Sequence, residues 1–175
     1  MENPEGLANN PFITIPFGII IGLFLDNIYK YWKNRKTTKQ ILITVHYEIK
    51  DNLLNSTETI KTIDASTTRW KILNTVSGNV FRSKIGNLTI SPEQIQSILK
   101  IYKYFDSIND EIVNVRKNTK YPQVEIMCNK AIQNYYSDCI EEINIYQERW
   151  KPGIGLENIE IIEHKILKQS FNRYL

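Results

Sequence analysis

Hydrophobic positions change their spacing along this chain, and the change divides it. From Phe12 to Leu25 the sequence FITIPFGIIIGLFL has no charged residue and one Thr as its only polar side chain. Continued through Asp26, Asn27, Ile28, Tyr29, Tyr31 and Trp32, the segment reaches the roughly 20 residues that an α-helix needs to cross a bilayer core. Behind it the apolar positions become periodic. Leu42, Val45, Ile49, Leu53, Ile60 and Ile63 recur at steps of mostly three and four, which predicts one amphipathic helix from Thr37 to Ile63. Trp70, Leu73 and Val76 predict a shorter helix from about Thr67 to Val76 that Gly78 stops. Ser91-Pro92-Glu93-Gln94 is a helix start: Ser suits the N-cap, Pro the first helical position, and Gln94 the third position, where it can complete a capping box.

From that start Ile95, Ile98, Leu99, Tyr102, Phe105, Ile108, Ile112 and Val115 form a stripe, broken at Asn118–Pro122. A further helix follows with Val124, Met127, Ala131, Tyr135, Cys139, Ile143, Tyr146 and Trp150 expected inward, ending at Pro152-Gly153. The short break between the two implies an antiparallel pair. In the last segment Ile159, Ile162, Ile166 and Phe171 fit a helix, although IEIIEHKIL also suits a strand. The expected fold is all-α: a tail at 1–11, a transmembrane helix at 12–32, and a four- or five-helix bundle at 33–175.

Charge orients this arrangement. The 175-residue chain has a net charge of +3, but residues 1–29 hold Glu2, Glu5 and Asp26 with no Lys or Arg. Lys30, Lys33, Arg35, Lys36 and Lys39 then follow within ten positions. By the positive-inside rule this block stays in the cytoplasm, against lipid headgroups, which leaves the tail outside and the bundle cytoplasmic. A plasma-membrane protein with a single span is expected. The bundle is close to neutral, which argues against nucleic acid as a broad electrostatic ligand.

Asp26 is the costly residue in such a segment, because a carboxylate at membrane depth faces protein or water. It either reaches the cytoplasmic interface unaided or, with Asn27, turns toward the inside of an oligomer. Gly18 and Gly22, four residues apart, form the small-residue stripe that lets helices approach closely.

Catalytic motifs are scarce. No phosphate-binding glycine loop, zinc-protease motif or C-x-x-C pair occurs, and His46, His164, Cys128 and Cys139 have no local pairing at metal-ligand spacing. No cofactor or metal is expected. Cys128 and Cys139, on one helix, would lie roughly 16 Å apart, too far for a disulfide, and read as reduced packing residues. Asp110-Glu111 and Glu141-Glu142 read as solvated faces.

The layout of N-terminal anchor, basic juxtamembrane helix and compact bundle resembles small membrane effectors of prokaryotic phage defence. It looks most like the membrane accessory protein of type VI-B CRISPR systems, whose cytoplasmic part is a HEPN-like bundle. Active HEPN ribonucleases carry Arg, then four to six residues, then His on a late helix. Here Asn158 stands before His164 at that spacing, and the Arg is missing. The resemblance therefore implies a HEPN-like bundle, with Asn158 and His164 as the only catalytic candidates. The functional expectation is a non-enzymatic, self-associating membrane protein, a pore-forming or membrane-perturbing defence accessory. A membrane-tethered scaffold or sensor for a partner protein or ligand comes second, and a tethered ribonuclease third.

Overall fold

The computed structural model describes residues 11–61, 66–118 and 120–150, with backbone alone for 11–18, 57–61, 66–68 and 149–150. In order, these form helix α1 (Pro11–Leu54), strands β1 (Thr57–Lys61) and β2 (Ser66–Trp70), helix α2 (Val76–Lys84), a 3-10 turn at Ile85–Asn87, and helices α3 (Pro92–Lys117) and α4 (Pro122–Trp150). The expected helical class holds, with one antiparallel hairpin as the exception. Among the described residues no helix is long and apolar enough to cross a membrane.

With 44 residues, α1 is about 66 Å long. No Pro or Gly falls between Lys30 and Leu54 to interrupt it. It stops at Asn55-Ser56, so the helix expected to reach Ile63 ends nine residues early. Thr57, Thr59, Thr67 and Thr68 follow, β-branched residues that prefer a pleated surface to a helix. They pair across the hairpin, with Thr57 opposite Trp70 and Thr59 opposite Thr68. The short helix expected over Thr67–Val76 is therefore corrected: Thr67 to Trp70 belong to a strand, Leu73 is a buried residue between β2 and α2, and Val76 is exposed at the start of α2.

Gly78 lies inside α2 and does not stop it. Its reason is packing, since a Cβ there would sit 2.3 Å from the ring of Tyr102. The α3 start matches its sequence signature: the Ser91 Oγ accepts from the backbone N–H of Gln94 at 3.2 Å, with Pro92 in the first turn.

One core joins all four helices. Ile41, Leu42, Val45, Ile49 and Leu53 of α1 meet Leu73, Phe81, and the inner stripes of α3 and α4. On α4 the expected stripe is displaced by one position in its first half. Cys128, Ile132 and Tyr136 point inward, whereas Met127 is 71% exposed. Cys139, Ile143 and Tyr146 fall where the periodicity put them.

Side-chain bonds fix which end of the bundle is which. Thr38 pairs with Thr89 just before α3, and Glu142 near the end of α4 pairs with Ser97. Near the other end, Asn52 bonds Asn74 and Trp70 bonds Asn129. The hairpin and the α3–α4 turn therefore occupy the end farthest from residues 19–32.

Candidate functional site

Two sites emerge, one outside the bundle and one within it. The outer one is α1 before its first tertiary bond, in which the Thr38 Oγ1 accepts from the Thr89 backbone N–H at 3.1 Å. Residues 19–37 thus extend for roughly 28 Å of helix. Ile19, Ile20, Ile21, Leu23, Phe24, Leu25 and Ile28 are all exposed along it, Ile20 at 62% and Phe24 at 64%. At roughly 100° per residue they cover about two-thirds of the helix circumference. The remaining strip is the one expected from sequence, with Gly18, Gly22 and Asp26 in line at four-residue steps. A Cβ added at Gly22 would meet nothing within 4 Å.

The Asp26 carboxylate accepts an ion pair from the Lys30 ammonium at 2.7 Å, one turn onward, and both side chains are more than half exposed. Asn27 is exposed beside them. Tyr29, Tyr31 and Trp32 follow, also exposed. Lys30, Lys33, Arg35, Lys36 and Lys39 are exposed as well and spread around most of the circumference, forming a collar instead of a stripe.

The inner site was not read from the sequence. Glu48, 7% exposed, lies on α1 and acts as the cap of another helix. Thr75 occupies the N-cap of α2 but its side chain caps nothing. The backbone N–H of Ser77 donates to Glu48 Oε2 at 2.9 Å, and that of Gly78 to Glu48 Oε1 at 3.4 Å. The Tyr102 hydroxyl donates to the same Oε1 at 2.8 Å. A carboxylate is favoured there because the first N–H groups of a helix lack partners and point their dipoles outward.

Two carboxamides hold the segment before α2. Asn74 N–H donates to Asn52 Oδ1 at 2.8 Å, and Asn52 Nδ2 donates to the Asn74 carbonyl at 2.7 Å. Asn109 repeats this on Leu73, accepting at 2.7 Å and donating at 3.0 Å. Each amide substitutes for a neighbouring β-strand. The only sequence signal was polar residues such as Glu48 and Asn52 adjoining an apolar stripe.

Glu142 corrects another expectation. It is 6% exposed, not solvated, and takes the Ser97 hydroxyl and the Lys100 ammonium, each at 2.6 Å. Glu141 is exposed as expected.

The chemistry available in the described region is that of locks. Burial pushes the Cys139 thiol well above its usual range, and burial with a bond to Glu111 pushes up Cys128, so neither forms a ready thiolate. Burial, then the bond to Glu48, likewise raises the Tyr102 hydroxyl. Among the described residues no group of three or more His, Cys, Asp or Glu side chains is placed to hold a metal ion. Asn158 and His164 lie outside the described residues, as do the tail and the segment after Trp150. Comparison with protein-family models, with curated proteins and with solved structures gives no match for this chain.

Proposed function

We propose that this chain is a membrane-anchored helical protein, held by the first half of α1, with its bundle in the cytoplasm. One observation carries the reading: seven consecutive-turn aliphatic and aromatic side chains from Ile19 to Ile28 stand exposed on a helix that leaves the bundle. Fully burying a side chain of this kind is worth about 1.5–3 kcal/mol, so leaving seven of them about half exposed forgoes roughly 5–10 kcal/mol. A single docking partner covers one face of a helix, whereas lipid covers all of them. Tyr29, Tyr31 and Trp32 then occupy the position of an interfacial aromatic belt, and the basic collar that of headgroup contacts.

Self-association through the Gly18–Gly22–Asp26 strip is the second part of the proposal. Copies packed along it would turn Asp26 and Asn27 toward a shared hydrated centre, giving a cation-preferring pore. This is the kind of membrane effector, in phage defence, that the layout resembles. The Asp26–Lys30 pair favours a second reading, in which the carboxylate is neutralised at the interface and the anchor merely tethers a scaffold or sensor.

Extraction separates these readings. The protein should resist alkaline carbonate washing of membranes and run as a discrete oligomer in mild detergent. Asp26→Asn should weaken cation preference in reconstituted bilayers. Full-length protein in the soluble fraction without detergent would end the anchor reading. A detergent-solubilised monomer with silent bilayers would leave only the tether.

A further inference from the structure

At the end of the bundle farthest from the anchor, separate elements bring positive charge together. Trp70 closes β2 and turns its ring inward: it stacks on Tyr136 with centroids 5.4 Å apart, and its Nε1 donates to Asn129 Oδ1 at 3.0 Å. Successive residues of extended chain face opposite ways, so Arg69 and Lys71, on either side of Trp70, share the outward face. Both are exposed. Arg116, in the last turn of α3, donates from Nη2 to the Trp70 carbonyl at 3.3 Å, which brings its guanidinium alongside them. Lys117 and Lys120 follow in the α3–α4 turn, also exposed.

Among the described residues the acidic neighbours are Asp51 in the last turn of α1, Glu58 opposite Arg69 across the hairpin, Glu111, which bonds the Cys128 thiol, and Glu125 in the first turn of α4. The bundle as a whole is near neutral, so this end is a local concentration of charge. It is also apolar in part. Tyr121, 62% exposed, follows Lys120, and Ile126 is exposed three residues before Asn129, on the side of α4 that meets Trp70.

We propose that this end docks an acidic segment of a partner protein bearing spaced apolar side chains. Charge complementarity sets the sign of the partner, and Tyr121 and Ile126 set its class. Tyr and Arg are favoured at protein interfaces, where an aromatic anchor is ringed by polar contacts. Nucleic acid would use the cations and stack on Tyr121, but it presents no aliphatic groups in register for Ile126. The surface is preformed, since the stacked Trp70 and its two hydrogen bonds fix the hairpin exit against α3 and α4, and preforming lowers the ordering cost of binding. The inference rests on the bundle alone.

The test uses full-length protein in detergent and fluorescence anisotropy with three labelled probes: a 20-residue Glu/Asp peptide with Leu or Phe at every fourth position, a Glu/Ser peptide of equal charge, and a 20-nucleotide uridine RNA. The first should bind saturably at micromolar concentration in 0.15 M salt, at least tenfold tighter than the other two. Lys71→Glu, Lys117→Glu and Lys120→Glu combined should weaken it tenfold or more. These three side chains are exposed, so circular dichroism should show an intact fold; Arg69→Glu alone, with a smaller loss, serves if the triple variant does not fold. Lys84→Glu with Lys103→Glu, both exposed at the end of α2 and in the middle of α3, should change nothing. No saturable binding of the first peptide, unchanged binding in the charge-reversed variants, or tighter binding of RNA would each overturn the proposal.

Discussion

Residues 19–32 and 38–53 belong to the same uninterrupted helix, and they could hardly differ more in surroundings. In the second stretch Val45 and Ile49 are fully buried, and the buried polar residues Glu48 and Asn52 of the same helix each find a partner across the bundle. In the first, isoleucines of the same size stand exposed around most of the helix, and its one carboxylate pairs with its own helix. The amphipathic half has a periodic pattern because its two sides meet different media. The first half lacks one because its apolar side chains run around most of the helix. One helix therefore carries two surface patterns, and the change between them falls at the basic collar.

The largest test of this contrast is a matched pair of truncations. Ile49→Ala should cost the bundle about 2–5 kcal/mol, because it leaves a cavity among side chains that relax only partly. The melting midpoint should fall by roughly 10 °C. Ile20→Ala, the same chemical change 29 residues earlier, should leave that midpoint unmoved. A comparable loss at Ile20 would mean that the extension packs on the bundle, and the comparison would collapse.

The two carboxylates of α1 give a finer test. Glu48→Ala strips a partner from two backbone N–H groups at the start of α2 and from the Tyr102 hydroxyl. A loss of about 3 kcal/mol is expected, since bonds to charged groups contribute about 1.5–3 kcal/mol each and their losses overlap. Asp26→Asn removes an exposed pair of the kind that contributes little. Chemical denaturation should show no change for it. Equal stability of the Glu48 variant would show that water replaces the carboxylate and that α2 needs no cap from α1.

These residues also mark how far the sequence could be read. The boundaries of α3 and the start of α4 were legible because Ser91-Pro92 and Asn118–Pro122 act locally, through caps and a missing N–H. The α1 stripe was legible because burial on one face repeats every three or four residues. The hairpin was not, since Ile60 and Ile63 continue the helical spacing by chance while the Thr-rich composition argues quietly for strand. Gly78 misled for a related reason. A glycine reads as a breaker until the ring that fills its Cβ space is known, and that ring belongs to Tyr102, 24 residues later in sequence. Glu48, Asn52 and Asn109 were invisible as a site because what they bind is backbone from other elements, which no local pattern encodes.

The smallest expected effect separates two kinds of buried polar group. Tyr102 and Tyr146 are both fully buried, but Tyr102 gives its hydroxyl to Glu48 whereas the Tyr146 hydroxyl has no hydrogen-bond partner among the described residues. Burial alone pushes Tyr146 from the ordinary value of 10 up to about 12. Between those values the unfolded chain has released this proton and the folded chain has kept it. The unfolded state thus binds fewer protons, and stability falls as pH rises from about 10 to about 12. Below that window the group adds no pH dependence. Tyr146→Phe should remove this part of the alkaline slope, and at pH 7 it should stabilise the bundle by up to about 1 kcal/mol, because a desolvated, unpaired hydroxyl is lost while the ring remains. Denaturant titrations at pH 7 and pH 11 measure both quantities. A loss of more than about 1 kcal/mol at pH 7 would reveal a partner for this hydroxyl, and Tyr146 would then belong with Tyr102 among the locks of the bundle.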